Sequence, residues 1–350
     1  MSCAVVLRQR RCARYFTPPW SAAVASREWV IWGQLAKNQP AGIIERSFFY
    51  YLTGTASKIT MTPSRSEFIT VRGLRTHVRH WGRDGAPIIF MVHGWMDVGA
   101  SFQFVVDSLQ GDWHVIAPDW RGFGLTERAP GDTYYFPDYL GDLDAMLDHY
   151  SPAAPVNLLG HSMGGNIVGL YAGVRPERVR RLINLEGFGM KASRPEQAPS
   201  HYARWLDGLR QTAPLRTYPS LAAVAARLQK TNPRLSDERA AFLAPHWSAP
   251  NDAGEFEILG DPAHKKPGPI LYRVEEVMAC WSAITAPVLW VEAEHTNMWE
   301  WMGPKEQARA EVDRRLGHLK QVQAAMMPEA GHMLHHDQPE ALARLIEAFV

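Results

Sequence analysis

The pentapeptide Gly160-His161-Ser162-Met163-Gly164 directly follows the apolar run Val156-Asn157-Leu158-Leu159. This reads as a strand, a sharp turn and a helix, with a serine at the tip of the turn. The flanking glycines have a steric role, because a side chain at either position would collide with the neighbouring strand or helix. A helix starting near Gly165 and Asn166 aims its N-terminal amides at negative charge forming beside the serine. A serine hydroxyl is a weak nucleophile at neutral pH and needs a base within hydrogen-bond reach. His332 is a candidate, in a loop that leaves a strand through Pro328-Glu329-Ala330-Gly331. His335 and His336 stand nearby, where a final helix is about to start. The chemistry open to such a set is two-step acyl transfer.

These residues need a sheet to position them. Strand and helix signals alternate from about residue 67, which predicts a mainly parallel sheet with helices on both faces. Phe68 to Arg72 and Thr76 to Trp81 predict an opening hairpin around Gly73. Two buried strands, Pro87 to Val92 and Val115 to Ala117, end in His93-Gly94-Trp95 and in Pro118-Asp119-Trp120-Arg121-Gly122-Phe123-Gly124. Further strands are predicted at Arg181–Leu185, Pro287–Val291 and Val322–Met327, with helices over 102–109, 136–150 and 339–350. Motifs at the C-terminal ends of parallel strands lie where such a sheet places its ligands. Asp119 and Arg121 are expected to brace a loop by charge-assisted hydrogen bonds. His161, on a tight turn, is expected mainly to pack.

Together these motifs resemble the α/β-hydrolase superfamily over residues 65 to 350. The resemblance implies a nucleophile at Ser162, a base at His332 and an oxyanion turn at His93-Gly94-Trp95, with the backbone N–H groups of Trp95 and Met163 as donors. Leu185-Glu186-Gly187-Phe188-Gly189 is similar to the D/E-G-[LF]-G stretch of serine hydrolase-like proteins. Gly260-Asp261-Pro262, with Pro269 and Tyr272-Arg273, is similar to the cap-to-core linker of that branch. In the commonest superfamily arrangement the orienting acid is an Asp a few residues past the 287–291 strand. Thr296 or Asn297 stands at that position here, and neither is a carboxylate. Glu186 is the favoured acid, since some members take it from the preceding strand; Glu294 and Glu292 are the alternatives.

Between Met190 and Ser282 the sequence is helical, proline-punctuated and rich in aromatics. The expected organisation is a basic, poorly ordered extension at 1–60, a core over 61–189, a helical cap over 190–282 and the rest of the core over 283–350. Trp95, His161, Trp205, Trp247 and Trp281 are candidate substrate contacts, although an aromatic inside a cap more often packs its own core. Together these residues favour a small or medium-sized apolar substrate. Carboxylic ester hydrolysis is the leading expectation, ahead of C–C bond, lactone or amide hydrolysis and perhydrolysis. A rival of another class is a non-catalytic binding protein that keeps the pocket.

Composition narrows the field further. The chain has 350 residues, 46% hydrophobic and 21% charged, which excludes a disordered or collagen-like protein. Residues 1–60 hold eight Lys or Arg against Glu28 and Glu45, so their charge is +6 and the remainder carries −5. A negative core argues against nucleic acid as a partner. Residues 1–60 could derive from an upstream start codon, with targeting as the lesser reading. The apolar stretches are too short for a membrane-spanning helix. Cys3, Cys12 and Cys280 are too scattered for a disulfide framework, and a cytoplasmic location is expected. No cofactor is expected, and no metal either, because the histidines lack HExxH-type spacing.

Overall fold

The computed structural model describes residues 61–210 and 214–350. The expectations for residues 1–60 lie outside the described residues. The strands are β1 (Ser64–Val71), β2 (Leu74–Trp81), β3 (Ile88–Val92), β4 (His114–Pro118), β5 (Val156–His161), β6 (Val179–Leu185), β7 (Thr217–Tyr218), β8 (Ser248–Pro250), β9 (Phe256–Ile258), β10 (Val288–His295) and β11 (Val322–Gly331). The α-helices are α1 (Gln103–Val106), α2 (Pro137–Tyr150), α3 (Met163–Val174), α4 (Ala198–Leu209), α5 (Leu221–Thr231), α6 (Asp237–Trp247), α7 (Val274–Ala283), α8 (Trp299–Met302), α9 (Lys305–Leu316), α10 (Leu334–Asp337) and α11 (Pro339–Phe349).

Eight strands form one sheet in the order β1-β2-β4-β3-β5-β6-β10-β11. From β4 through β11 every pairing is parallel, and β2 joins β1 and β4 antiparallel. The opening hairpin turns at Arg72 and Gly73, both at positive φ (47° and 86°), the two-residue geometry that matches strand twist. Each central strand is apolar on both faces. Phe90 and Val92 of β3 face one core while Ile89 and Met91 face the other; Trp290 and Leu289 of β10 divide in the same way. The first core is closed by α2, α3, α7 and α9, the second by α1, α10 and α11. Helices on both faces of a parallel sheet give the expected α/β architecture.

Three expectations need correction. The helix after the serine begins at Met163, two residues earlier than expected, so its first amides lie at Ser162 itself. The 102–109 helix is a short 3₁₀ turn, Gly99–Phe102, followed by α1. The segment expected to be a helical cap over 190–282 is helical only in part, and it ends earlier. β7, β9 and β8 form a small antiparallel sheet of their own; strands of two or three residues are too short to show alternation. α7 packs on α3 and contributes Val274, Met278 and Trp281 to the main core, so the inserted segment closes near Arg273. Its helices α5 and α6 carry serine N-caps, with Ser220 accepting from the Ala223 N–H and Ser236 from the Arg239 N–H, both at 3.2 Å.

The insertion returns to the core through a fixed junction. The Asp261 N–H donates to the Gly122 carbonyl at 2.8 Å, and the Gly124 N–H to the Leu259 carbonyl at 2.9 Å. The His264 ring is stacked between Phe123 and Tyr134, with centroids 3.7 and 3.6 Å away. Below this turn, Arg121 makes two bonds to Asp142 at 2.5 and 2.6 Å. Burial alone would raise the Asp119 carboxyl, yet hydrogen bonding and charge from His77, with further support from His93 and the Leu125 N–H, bring it down to about 2. Asp119 and Arg121 therefore brace the loop.

Candidate active site

Ser162 sits at φ 51° and ψ −113°, outside the regions comfortable for a residue with a Cβ. Its neighbours force this geometry. A Cβ on Gly160 would lie 2.3 Å from the Gly164 carbonyl oxygen, and one on Gly164 would lie 2.3 Å from the Val92 carbonyl oxygen. The Ser162 N–H donates to the Leu185 carbonyl at 2.8 Å, tying the turn to the end of β6.

The loop after β11 brings His332 to the serine, with Nε2 2.9 Å from Ser162 Oγ. On the other side of the ring, His332 Nδ1 lies 3.1 Å from Glu186 Oε2. Glu186 is buried and is itself at positive φ (57°) just past β6. Its Oε1 accepts from the Ala293 N–H at 2.7 Å, and its Oε2 accepts from the Thr296 hydroxyl at 2.5 Å. With a carboxylate on Nδ1, that nitrogen carries the proton and Nε2 faces the serine hydroxyl as an acceptor.

The two alternative acids are occupied elsewhere. Glu292 is buried, accepts from the Trp290 indole N–H at 2.8 Å and pairs with Arg309. Glu294 is exposed and accepts from the Glu329 N–H at 3.0 Å. Thr296, at the position where the resemblance leads one to seek an acid, supports Glu186 through its hydroxyl. Sequence reading missed that role, because only the fold shows that the ends of β6 and β10 are neighbours.

The turn after β3 lies against the serine. A Cβ on Gly94 would be 3.2 Å from Ser162 Cβ. His93 holds this turn as a neutral strut: burial pushes its pKa below the usual imidazole range, Nδ1–H donates to the Gly94 carbonyl at 2.7 Å, and Nε2 accepts from the Trp120 N–H at 2.9 Å. Among the described residues, neither the Trp95 nor the Met163 N–H donates a hydrogen bond.

The five candidate contact residues scatter. Trp95 is 51% exposed, next in sequence to Gly94, which lies against Ser162. His161 is buried, its Nε2–H donating to the His332 carbonyl at 2.8 Å. Burial, then His335 and His332, push its pKa well below the usual range. Trp247 packs with Leu243 of the insertion and Phe104 of α1. Trp205 lies half-buried on α4. Trp281, at 2% exposure, packs edge-on to Trp290 and against Gly169 of α3. It is a core residue, which corrects the expectation that it lines a pocket; helical spacing alone could not tell which way it faced. Trp301, not anticipated, meets the His332 ring edge-on at 5.2 Å.

The sequence profile of the α/β-hydrolase fold matches residues 87–339. The chain belongs to the α/β-hydrolase family. Within that family it is similar to the serine hydrolase-like protein of Danio rerio, with 26% identity over 302 residues covering 83% of this chain and 90% of that one. It is also similar to serine hydrolase-like protein 2 of Homo sapiens, with 24% identity over 280 residues, 77% and 88% of the two chains. Among solved structures, the thioesterase domain of the curacin biosynthetic pathway superposes with a TM-score of 0.72 at 24% identity, covering 81% of this α/β hydrolase and 99% of that chain; this is a likeness of fold. No helix among the described residues of the hydrolase is long and apolar enough to cross a membrane.

Proposed function

We propose that this α/β hydrolase cleaves carboxylic esters of small to medium apolar acids or alcohols through an acyl-enzyme. The reading rests on the chain from Ser162 Oγ to His332 Nε2 at 2.9 Å and from His332 Nδ1 to Glu186 Oε2 at 3.1 Å. Ser162 Oγ attacks the carbonyl carbon while its proton passes to His332 Nε2. The carbonyl electron pair moves to oxygen, which accepts hydrogen bonds from the Trp95 and Met163 N–H groups; one such donor contributes about 3 kcal/mol to transition-state stabilisation. Collapse expels the alkoxide, which takes the proton from Nε2. Water then repeats the sequence on the acyl-serine and releases the acid. Glu186 keeps the proton on Nδ1 and stabilises the imidazolium.

The insertion over 190–273 serves as a cap over the reacting atoms. An apolar substrate is supported by the exposed Trp95, Met190, Tyr202 and Leu206. Lactone, amide or C–C cleavage would use the same core residues, and an ester, lactone and amide panel separates them.

The test is a fluorophosphonate probe followed by intact-mass and peptide mapping, with Ser162→Ala alongside. A single adduct on Ser162, absent from the variant, is expected. A folded protein with no adduct would overturn the reading and put a ligand-binding role in its place.

A further inference from the structure

The proposed reaction leaves one polar cluster beside the serine unused. Asp97, His161 and His335 are 3%, 1% and 0% exposed, and one ligand-capable atom from each lies within 4.8 Å of the other two. The remaining polar atoms of two of them are already engaged. Asp97 Oδ1 accepts from the Val98 N–H at 2.8 Å and from the Ser101 hydroxyl. His161 Nε2 faces the His332 carbonyl, which can only accept, so Nε2 carries the proton and Nδ1 presents a lone pair. Asp97 Oδ2, His161 Nδ1 and both ring nitrogens of His335 make no hydrogen bond of normal length among the described residues, and Asp97 Oδ2 and His335 Nε2 face each other only at ion-pair distance. Buried polar atoms without hydrogen bonds cost stability, so such a convergence calls for an occupant.

We propose that Asp97 Oδ2, His161 Nδ1 and a ring nitrogen of His335 bind a divalent transition-metal ion, with zinc the best match to two imidazoles and a carboxylate. The alternative occupant is a buried water, and the carboxylate–imidazole spacing favours the ion. His335 Nε2 and Asp97 Oδ2 are 3.6 Å apart. With bonds of about 2.1 Å to a metal, that spacing subtends about 120° at the ion, within reach of tetrahedral coordination. With hydrogen bonds of about 2.8 Å, it subtends only about 80° at a water. His161 also has the support a metal-bound imidazole needs, its other N–H being fixed by a backbone carbonyl. Gly94 packs closely against this nitrogen, since a Cβ there would lie 3.0 Å from His161 Nδ1. The three ligands come from the turn after β3, the end of β5 and the short helix α10, far apart in sequence, so no ligand spacing marks them. The ion would pin together the three segments that carry Trp95, Ser162 and His332.

Because the ligands are buried, the ion enters during folding. The full chain is purified without chelator and its metal content measured by mass spectrometry. It is then unfolded with chelator and refolded with or without Zn²⁺ or Co²⁺. The expected result is about one ion per chain, a higher thermal midpoint after refolding with metal, and a visible Co²⁺ absorption band of a tetrahedral nitrogen-oxygen site. Asp97→Asn and His335→Gln, checked for folding by circular dichroism, should each lose the ion. The exposed trio Glu294, His295 and Glu329 also brings ligand atoms together, so Glu294→Gln is the control and should keep it. Folded wild-type protein that carries no ion by either route, with a midpoint indifferent to metal, would overturn the proposal and assign the cluster to water. So would loss of the ion in Glu294→Gln with retention in Asp97→Asn. If a variant fails to fold, the wild-type measurements still decide.

Discussion

The turns around Ser162 and the insertion over 190–273 obey different rules. At the turns almost every atom is specified: Gly160 and Gly164 have no room for a methyl group, Ser162 and Glu186 are held at positive φ, and His93 and Asp119 fix adjoining backbone. In the insertion, α4 buries none of its residues, Tyr202 and Leu206 lie open, and the packing is in small clusters, Val224 with Tyr218 and Ala244 in one and Leu228, Leu235 and Leu243 against Phe104 of α1 in another. Chemistry demands fixed atoms, whereas substrate choice needs a surface that can change without disturbing them. Substitutions should therefore divide by region, those at the turns acting on turnover or folding and those in the insertion acting on substrate preference.

The largest effect should come from Ser162→Ala, which is expected to lower ester turnover by about 10⁵-fold or more without lowering the thermal midpoint. Glu186→Gln should follow with a loss of roughly 10⁴-fold, measured as kcat on the same ester, while Glu294→Gln stays within about twofold. A damaging Glu294→Gln with a benign Glu186→Gln would break the assignment. A matched pair of glycines sharpens the regional contrast. Gly164→Ala places a methyl group against backbone and should prevent recovery of folded protein. Gly254→Ala, at φ 78° with nothing within 4 Å in the insertion, should cost only about 1–2 kcal/mol by denaturant unfolding, through backbone strain alone.

Acid provides a milder probe. His264 and His246 are both brought down to about 4, chiefly by burial. Each binds its proton more readily when unfolded, so its contribution is complete above an unfolded pKa of about 6.5 and is lost as the pH falls from there towards 4. At pH 5.5 this amounts to about 1.4 kcal/mol for each histidine. His264→Phe should flatten the decline by its share in unfolding curves taken between pH 7 and 5; an unchanged slope would refute the assignment. The smallest effects belong to the open face of α4. Tyr202→Ala and Leu206→Ala should shift KM for apolar esters by up to about tenfold and leave stability within about 0.5 kcal/mol.

The same contrast explains what the sequence revealed. Gly160, Gly164 and the hairpin around Gly73 were legible because steric need fixes glycine on the spot, and Ser162 because it stands between two such glycines. The sheet strands were legible because burial on both faces leaves continuous apolar runs. Thr296 was not, since its hydroxyl acquires a role only when β6 and β10 lie side by side. β7, β8 and β9 were too short for a period to show, and Trp281 looked like any other aromatic of the insertion until α7 was seen to pack on α3. Asp97 gave no sign, and His335 stood out only as a neighbour of His332, because the turn after β3 and α10 come together only in the fold.

The positive φ at Ser162 and at Glu186 has a consequence for how this chain can change. Each holds a residue with a Cβ in a conformation that glycine adopts without strain, at a cost of about 1–2 kcal/mol. Glycine at 162 would relieve that strain and remove the hydroxyl with it, whereas glycine at 186 would also leave the Ala293 N–H and the Thr296 hydroxyl without their acceptor. Selection for heat resistance alone would therefore favour inert descendants, and a library ranked by melting temperature should be enriched near the top in proteins that have lost their chemistry.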